Sequence, residues 1–205
     1  MLYFSLIFTL PVVAEDILDE VIVSADFRGT SAQTTAASLS IVSEAQLIDR
    51  TAKHLEDVLN IAPNVNSAAG ASRGRFFQIR GIGERSQFKE PLDSSVGLII
   101  DGIDFSNLGL AGSVYDVEQV EILRGSQGTA FGSSALAGLI NIRSAAPTED
   151  FEGRVDLGTG NYGFQSIGMI LSGPISKRLL GRIAVNKNSG DGYIKNDFSN
   201  RDDTN

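Results

Sequence analysis

The chain has 205 residues, 42% of them hydrophobic, which is enough for one domain or two small ones built around a core. Its 17 basic and 25 acidic residues give a net charge of −8, so no basic field draws nucleic acid, and the lack of cysteine removes disulfides, thiolate zinc sites, c-type haem attachment and cysteine nucleophiles together. The single histidine, His54, leaves little imidazole for a metal site or for acid–base chemistry near neutral pH, and neither a metal nor a cofactor is expected.

Residues 1–14, MLYFSLIFTLPVVA, are apolar, uncharged and too short to cross a bilayer as a helix. With Val12-Val13-Ala14 as a small-residue cleavage site before Glu15 they read as an export signal; the missing basic n-region leaves either a true start upstream or a buried apolar segment. Residues 15–36 have few large apolar side chains apart from Val21-Ile22-Val23 and predict a flexible arm, with order starting near Ala37. Ser38–Val42 predicts a short strand. Ser43 with Gln46 forms a capping box for a brief helix through Ile48. Thr51 can cap a second helix, on which Leu55, Val58 and Leu59 share one face until Pro63 ends it.

From Phe76 the pattern changes to short strands between glycine-rich or polar loops: Phe77–Arg80, Val96–Ile100, Val120–Leu123 and Leu139–Ile142. Ile100 is followed by Asp101-Gly102 and Leu123 by Arg124-Gly125, which suggests charged strand ends and bare backbone gathered at one edge. After Pro147 the period becomes two. Phe151, Val155 and Leu157 oppose Glu152, Arg154 and Asp156; Ile167, Met169 and Leu171 oppose Ser166, Gly168 and Ser172; Ile183 and Val185 oppose Arg182, Ala184 and Asn186. Residues 173–177 form a short turn, and a longer polar loop with Tyr193 runs from Asn188 to Asn205. Such strands suit a transmembrane barrel with a wet lumen, or a soluble antiparallel sheet with one solvated face. Three of them cannot close a barrel, and open edges in hydrocarbon cost several kcal/mol per unpaired group, about the price of a lost hydrogen bond each, so on the barrel reading this is the front of something longer.

The glycine-rich loops invite a phosphate reading that their details do not support. Arg124-Gly125-Ser126-Gln127-Gly128 lacks the Lys-Ser/Thr pair of a P-loop, and Gly81-Ile82-Gly83-Glu84-Arg85-Ser86 has Ser86 where a dinucleotide fingerprint has glycine or alanine. Ser126, Ser133 and Ser134 have no histidine near them in sequence, and His54, among Lys53, Glu56 and Asp57, fits a solvated helix face better than a triad base. Asp101 and Asp104 fit turn residues bonding local backbone better than a general acid and base.

The stretch Val120–Ile142, VEILRGSQGTAFGSSALAGLINI, closely resembles the end of the plug domain of TonB-dependent outer-membrane receptors. Ile79-Arg80-Gly81-Ile82-Gly83, Val96-Gly97-Leu98-Ile99-Ile100-Asp101-Gly102 and Ala62-Pro63-Asn64-Val65 are similar to other motifs of that family in the same order. The segment Asp19, Glu20, Val21, Ile22, Val23, Ser24, Ala25 resembles its TonB box. The resemblance covers residues 19–205; Ser126 stands where the family usually has proline and Asn64 where glycine is common.

The resemblance implies an α+β plug domain, a small mixed sheet with short helices, at residues 37–148, followed by the first three antiparallel strands of a transmembrane β-barrel at 149–205. In such families the plug fills a barrel of about 22 strands. Gly81, Gly102, Gly125, Gly128, Gly132 and Gly138 then serve tight turns and close backbone approach. Arg80 and Arg124, at strand ends, become candidates for latching the plug to barrel-wall carboxylates. The arm at 19–25, with no partner in its own chain, offers itself to periplasmic TonB by strand addition. Ligand contacts fall on loops 68–75, 83–93 and 105–112, with Arg73, Arg75, Phe88 and Phe105 offering charge and aromatic area. The implied protein is no enzyme: it imports a scarce small molecule, such as a ferric siderophore or other iron complex, across the Gram-negative outer membrane, in contact with its lipid. The reading from another class is a soluble periplasmic α+β binding or nucleotide-handling protein.

Overall fold

The computed structural model describes residues 22–23, 30–35, 37–59, 61–68, 74, 76–85, 93–108, 112–191, 194–196 and 201–203. The chain divides into two units, Met1–Thr35 and Ala36–Asn205. In the first, β1 (Ile22–Val23) pairs antiparallel with β2 (Thr30–Ser31), Ile22 opposite Ser31 and Val23 opposite Thr30. This corrects the expectation that the arm has no partner in its own chain. The β-branched pair at 22–23 takes the nearest strand available, a two-residue ladder.

The second unit opens with β3 (Ser38–Ser43) and α1 (Glu44–Asp49). The capping box forms as expected: Gln46 N donates to Ser43 Oγ at 3.5 Å, and Ser43 N donates to Gln46 Oε1 at 3.2 Å. The start of α2 (Leu55–Leu59) differs from expectation. Thr51 sits at φ 52°, its N–H bonded back to Ile48 O, and ends the preceding turn; the Asp57 carboxylate instead accepts from the N–H groups of Lys53 and His54 at 2.9 and 3.1 Å. His54 is not on a solvated face: it is 5% exposed, drawn inward by its bridge to Ser113.

Next come the hairpin β4 (Val65–Ala68) and β5 (Phe76–Ile79), then β6 (Val96–Ile100), β7 (Ile103–Asp104), β8 (Val117–Arg124), α3 (Gly128–Phe131), a single 3-10 turn at Ser133–Ala135, and β9 (Gly138–Ser144). Five of these strands form a mixed sheet in the order β3-β8-β9-β6-β7, with β6 and β9 parallel and the other neighbours antiparallel. Val120, Ile122, Ile140, Ile142 and Leu98 pack with Leu47, Leu55, Val58 and Leu59 into the core. On β8 and β9, a fully buried Glu121 accepts from Gln119 Nε2 at 2.6 Å and Asn141 Nδ2 at 3.1 Å, the partnering a buried carboxylate requires.

That topology corrects one expectation about the glycines. Because β8 runs antiparallel to β9 and β9 parallel to β6, Asp101-Gly102 and Arg124-Gly125 lie at opposite ends of the sheet rather than at one edge. Asp101 behaves as a turn residue at φ 48°, accepting from Ser144 N and Oγ at 2.8 and 2.7 Å, and Asp104 accepts from Ser106 N at 2.8 Å.

The last part is a three-stranded antiparallel meander, β10 (Glu152–Thr159), β11 (Gln165–Ser176) and β12 (Leu179–Ser189), in that order. Its cross-strand rows read Gly153–Leu171–Ile183, Val155–Met169–Val185 and Asp156–Gly168–Asn186. The segment expected as a polar loop also carries structure: β12 continues to Ser189, and β13 (Ile194–Asn196) pairs with β14 (Arg201–Asp203).

Candidate functional site

The site is the junction between the start of β8 and one face of the meander. Alternation gives the meander a polar face with Glu152, Arg154, Asp156, Ser172, Arg182 and Asn186 and an apolar face with Val155, Leu157, Ile167, Met169, Ile183 and Val185. Ile170, on the polar side, is 3% exposed, whereas its neighbours Met169 and Leu171 are 43% and 37% exposed. The polar face is therefore the one that is covered, at Ile170, Ser172 and Arg182, while Glu152 and Arg154 on it stay exposed; the apolar face is bare.

Tyr115 and Asp116 form the turn that leads into β8, with Asp116 held at φ 61°. Its carboxylate receives two hydrogen bonds from one guanidinium, Arg182 Nε at 2.8 Å and Nη2 at 2.6 Å. The side chains of Arg182 and Asp116 are only 15% and 7% exposed. A bidentate pair so placed fixes orientation strongly, while desolvation offsets much of its net stabilisation. Nearby, Thr148 N and Oγ1 both bond Ser172 Oγ at 2.9 Å, which ties the linker into β10 to the same end of the meander.

Two rows along the same face, Tyr115 donates its hydroxyl proton to Asp156 Oδ2 at 2.9 Å. Burial, then the bond to Asp156 and its charge, push the phenol up to about 12. Asp156 also accepts from Arg154 Nε at 3.1 Å, and Arg154 Nη1 lies 3.5 Å from Glu44 Oε1 on α1. Gly168 sits opposite Asp156 because a Cβ there would collide with the Tyr115 hydroxyl. At the far end, Lys53 Nζ stands 3.2 Å over the Phe164 ring beside the β10–β11 turn, a cation–π contact. Between these contacts lies a cavity of about 410 Å³ lined by Glu44, Lys53, Tyr115, Arg154, Asp156 and Asn186.

The residues singled out from sequence are placed differently. Arg124 fastens its own domain, donating to Ser38 Oγ at 3.0 Å, Ser40 Oγ at 2.7 Å and Leu39 O at 3.1 Å. Arg80 is exposed, at φ 55°, with its backbone N–H on Asn64 O at 2.8 Å, while Arg124 Nη1 reaches Pro63 O at 3.5 Å. The two guanidiniums thus belong to one end of the sheet, beside the Pro63-Asn64 turn. Gly81, Gly102, Gly125 and Gly132 all have positive φ. Gly138 is there for close approach, since a Cβ would meet Leu123 O and Ile79 Cδ1. Gly128 merely opens α3, where a side chain would meet only Ser126 Oγ at 3.7 Å. Phe105 is half-buried against the core, and Arg73, Arg75 and Phe88 lie outside the described residues, as do Asp19, Glu20, Val21, Ser24, Ala25 and Tyr193.

Sequence alone does not single out Asp116 and Arg182 as partners, because 66 residues separate them. The available signal is an isolated arginine on the polar side of a period-two strand, a charge that needs a partner in whatever covers that face.

A family model described as TonB-dependent Receptor Plug Domain matches residues 31–139, more than half of the chain. The pesticin receptor of Yersinia enterocolitica is 29% identical over 175 residues, covering 84% of this chain and 26% of the relative. The vitamin B12 transporter BtuB of Photobacterium profundum is 26% identical over 189 residues, covering 90% and 30%. Among solved structures, the ferric yersiniabactin uptake receptor FyuA from Yersinia pestis superposes with a TM-score of 0.69 at 27% identity, over 81% of this chain and 26% of that one. The chain therefore spans between about a quarter and a third of the length of these relatives.

Proposed function

We propose, for a chain that belongs to the TonB-dependent receptor plug-domain family, that it is the front of an outer-membrane receptor that imports a scarce small molecule with energy delivered by periplasmic TonB. In this reading residues 1–14 are an export signal, 15–36 a coupling arm, 37–148 the plug, and 149–205 the first barrel strands. The observation that carries it is the meander's inverted burial: its charged face is clasped to the sheet domain through Arg182 and Asp116, and its apolar face is left for lipid. A soluble periplasmic binding protein would cover the apolar face and wet the charged one.

Coupling falls to Asp19–Ala25, offered as a strand to TonB. For that, β1 has to give up its two-residue ladder with Thr30–Ser31, a small exchange of backbone hydrogen bonds. Val21→Pro in the full receptor is expected to abolish transport and leave ligand binding intact, because proline removes a donor from the added strand. Equal loss of both would mean misfolding and would count against the coupling role.

The ligand of this reading is a ferric siderophore or another iron complex, met by Arg73, Arg75, Phe88 and Phe105 on loops 68–75, 83–93 and 105–112. The root of the last loop supports that placement: Leu55 N donates to Gly112 O at 2.7 Å, beside Lys53 and its contact with Phe164 at the β10–β11 turn, the end of the meander away from the Asp116 clasp. Cells expressing the full receptor are expected to take up radiolabelled ferric siderophore under iron starvation; uptake of a cobalamin instead would redirect the ligand reading and keep the transport reading. Arg80 and Arg124 serve as latches to wall carboxylates farther along the barrel. Arg80→Ala is the cleaner test, because Arg124 also fastens β3; unchanged plug hydrogen exchange and unchanged uptake would remove that role.

A further inference from the structure

On the bare face of the meander, near the β11–β12 turn, the apolar surface is not flat. Gly173 and Gly181 are cross-strand partners and form the floor of a groove of about 270 Å³. Its walls are Phe151, Leu171, Ile175 and Ile183, which are 76%, 37%, 71% and 59% exposed. Both glycines are needed for the shape: a Cβ at 181 would strike Ile175 Cδ1, and one at 173 would come within 2.9 Å of the Phe151 backbone. The turn that closes this end is Lys177-Arg178, with both residues exposed. In a chain of net charge −8, this places two adjacent cations next to a shaped apolar groove.

We propose that this groove is a binding site for one anionic glycerophospholipid of the periplasmic leaflet, with an acyl chain lying over Gly173 and Gly181 and the headgroup phosphate held by Lys177 and Arg178. The leaflet follows from the turn. Transmembrane barrels keep their short turns on the periplasmic side, and the two-residue Lys177-Arg178 turn is shorter than the connection from Gly160 to Phe164 at the other end. The linker from the sheet domain enters β10 at this same end, where Glu152 pairs with Ser172. Juxtamembrane cations attract anionic headgroups, each contributing additively near the surface. Phe151 lies where an aromatic ring marks the interface. The proposal rests on the membrane reading above and adds to it a lipid-selective site.

The test uses the full-length receptor in detergent, titrated with phosphatidylglycerol or phosphatidylcholine of matched chains and read by native mass spectrometry. One retained phosphatidylglycerol is expected, preferred over phosphatidylcholine by about thirtyfold, the weight of two cations at an anionic surface. K177Q/R178Q is expected to reduce that preference to near unity, and Gly181→Leu to lower retention of both lipids by obstructing the groove. Should Gly181→Leu fail to fold, Ile183→Ala serves instead, widening the groove and weakening chain retention severalfold while keeping the headgroup preference. Equal retention of the two lipids by the wild type, or a preference untouched by K177Q/R178Q, overturns the site. Tighter retention of lipid A than of phosphatidylglycerol, lost in the same variant, overturns the leaflet assignment and with it the proposal. A receptor that inserts and transports normally without any lipid preference refutes this site alone; one that does not insert refutes the membrane reading.

Discussion

In β8 and β9 the side chains of Val120, Ile122, Ile140 and Ile142 are at most 1% exposed, whereas Leu157, Ile167 and Val185 in the meander are 76%, 60% and 55% exposed. Both regions are built from β-branched and aliphatic residues in strands, so propensity does not separate them. The difference is which face finds a partner. The sheet buries its apolar side chains against α1 and α2 and needs no second solvent. The meander covers its charged face with Tyr115, Asp116 and Glu44 and leaves its apolar face bare, the reverse of a soluble antiparallel sheet and the arrangement of a barrel wall seen from within. Apolar periodicity thus states that a strand has two environments; only the cover of the polar face states which environment is water.

The comparison breaks most sharply at the clasp. Asp116→Ala leaves the Arg182 guanidinium largely buried without its carboxylate, and the docked state is expected to lose about 3–5 kcal/mol. Hydrogen exchange in the full receptor reads this at the Ala145 amide, which donates to Asp116 O. The D116A/R182A pair is expected to cost less than the sum of the two single changes, since neither charge is then stranded. Additive costs would mean that the two residues act separately and that the polar face is covered for another reason.

Next in size is a charge on the bare face. Met169 occupies the middle row with Val155 and Val185. Met169→Arg is expected to cost about 2–4 kcal/mol if that row faces hydrocarbon, and within about 0.5 kcal/mol if it faces water. The fraction of receptor folded into phosphatidylcholine vesicles, seen by its altered mobility on unboiled gels, distinguishes the two. A neutral outcome would return the meander to the soluble class.

How far the molecule was legible in its sequence follows the same division. Local signals were reliable: the Ser43–Gln46 box placed α1, and β6 runs over the expected Val96–Ile100. The period-two stretches after Pro147 became β10, β11 and β12 with the expected faces. Whatever depended on contacts between distant segments was not legible. Thr51 looks like a cap until Asp57 is seen bonded to two backbone N–H groups, and His54 looks solvated until Ser113 is brought beside it. Arg124 reads from sequence only as a charge at a strand end; that it also fastens β3 appears once β3 pairs with β8 and sets Ser38 and Ser40 under its guanidinium. The order β3-β8-β9-β6-β7 has no local signature, because it requires a parallel pairing of β6 with β9, which β7 and β8 separate in sequence.

The glycines refine the comparison on the sheet side. Gly138→Ala pushes a Cβ against Leu123 O and Ile79 in a packed interior and is expected to cost about 1–3 kcal/mol, read as faster exchange of the β8 and β9 amides. Gly128→Ala, at the first position of α3 and in contact only with Ser126 Oγ, is expected to be neutral or to gain up to about 1 kcal/mol. If the two behaved alike, the glycines of this loop would serve flexibility in general rather than close approach at one residue.

The smallest expected effect tests the junction itself. Tyr115 donates to Asp156 at 2.9 Å, and its phenol is pushed up to about 12 by burial first and by the Asp156 carboxylate second. An unfolded tyrosine ionises near about 10. The folded value lies above the unfolded one, so the contact's contribution is complete below pH 10 and is lost as pH rises through about 12. Between pH 5 and 9 this residue should therefore leave docking stability flat, and the decline should begin on the alkaline side. Tyr115→Phe keeps the ring against Gly168, removes the proton donor and is expected to cost about 1 kcal/mol at neutral pH. It should also erase the alkaline decline, together with the tyrosinate absorbance step near pH 12. A decline that survived in Tyr115→Phe would assign the alkaline sensitivity to other groups and leave Gly168 as the only part of this contact that the wall contributes.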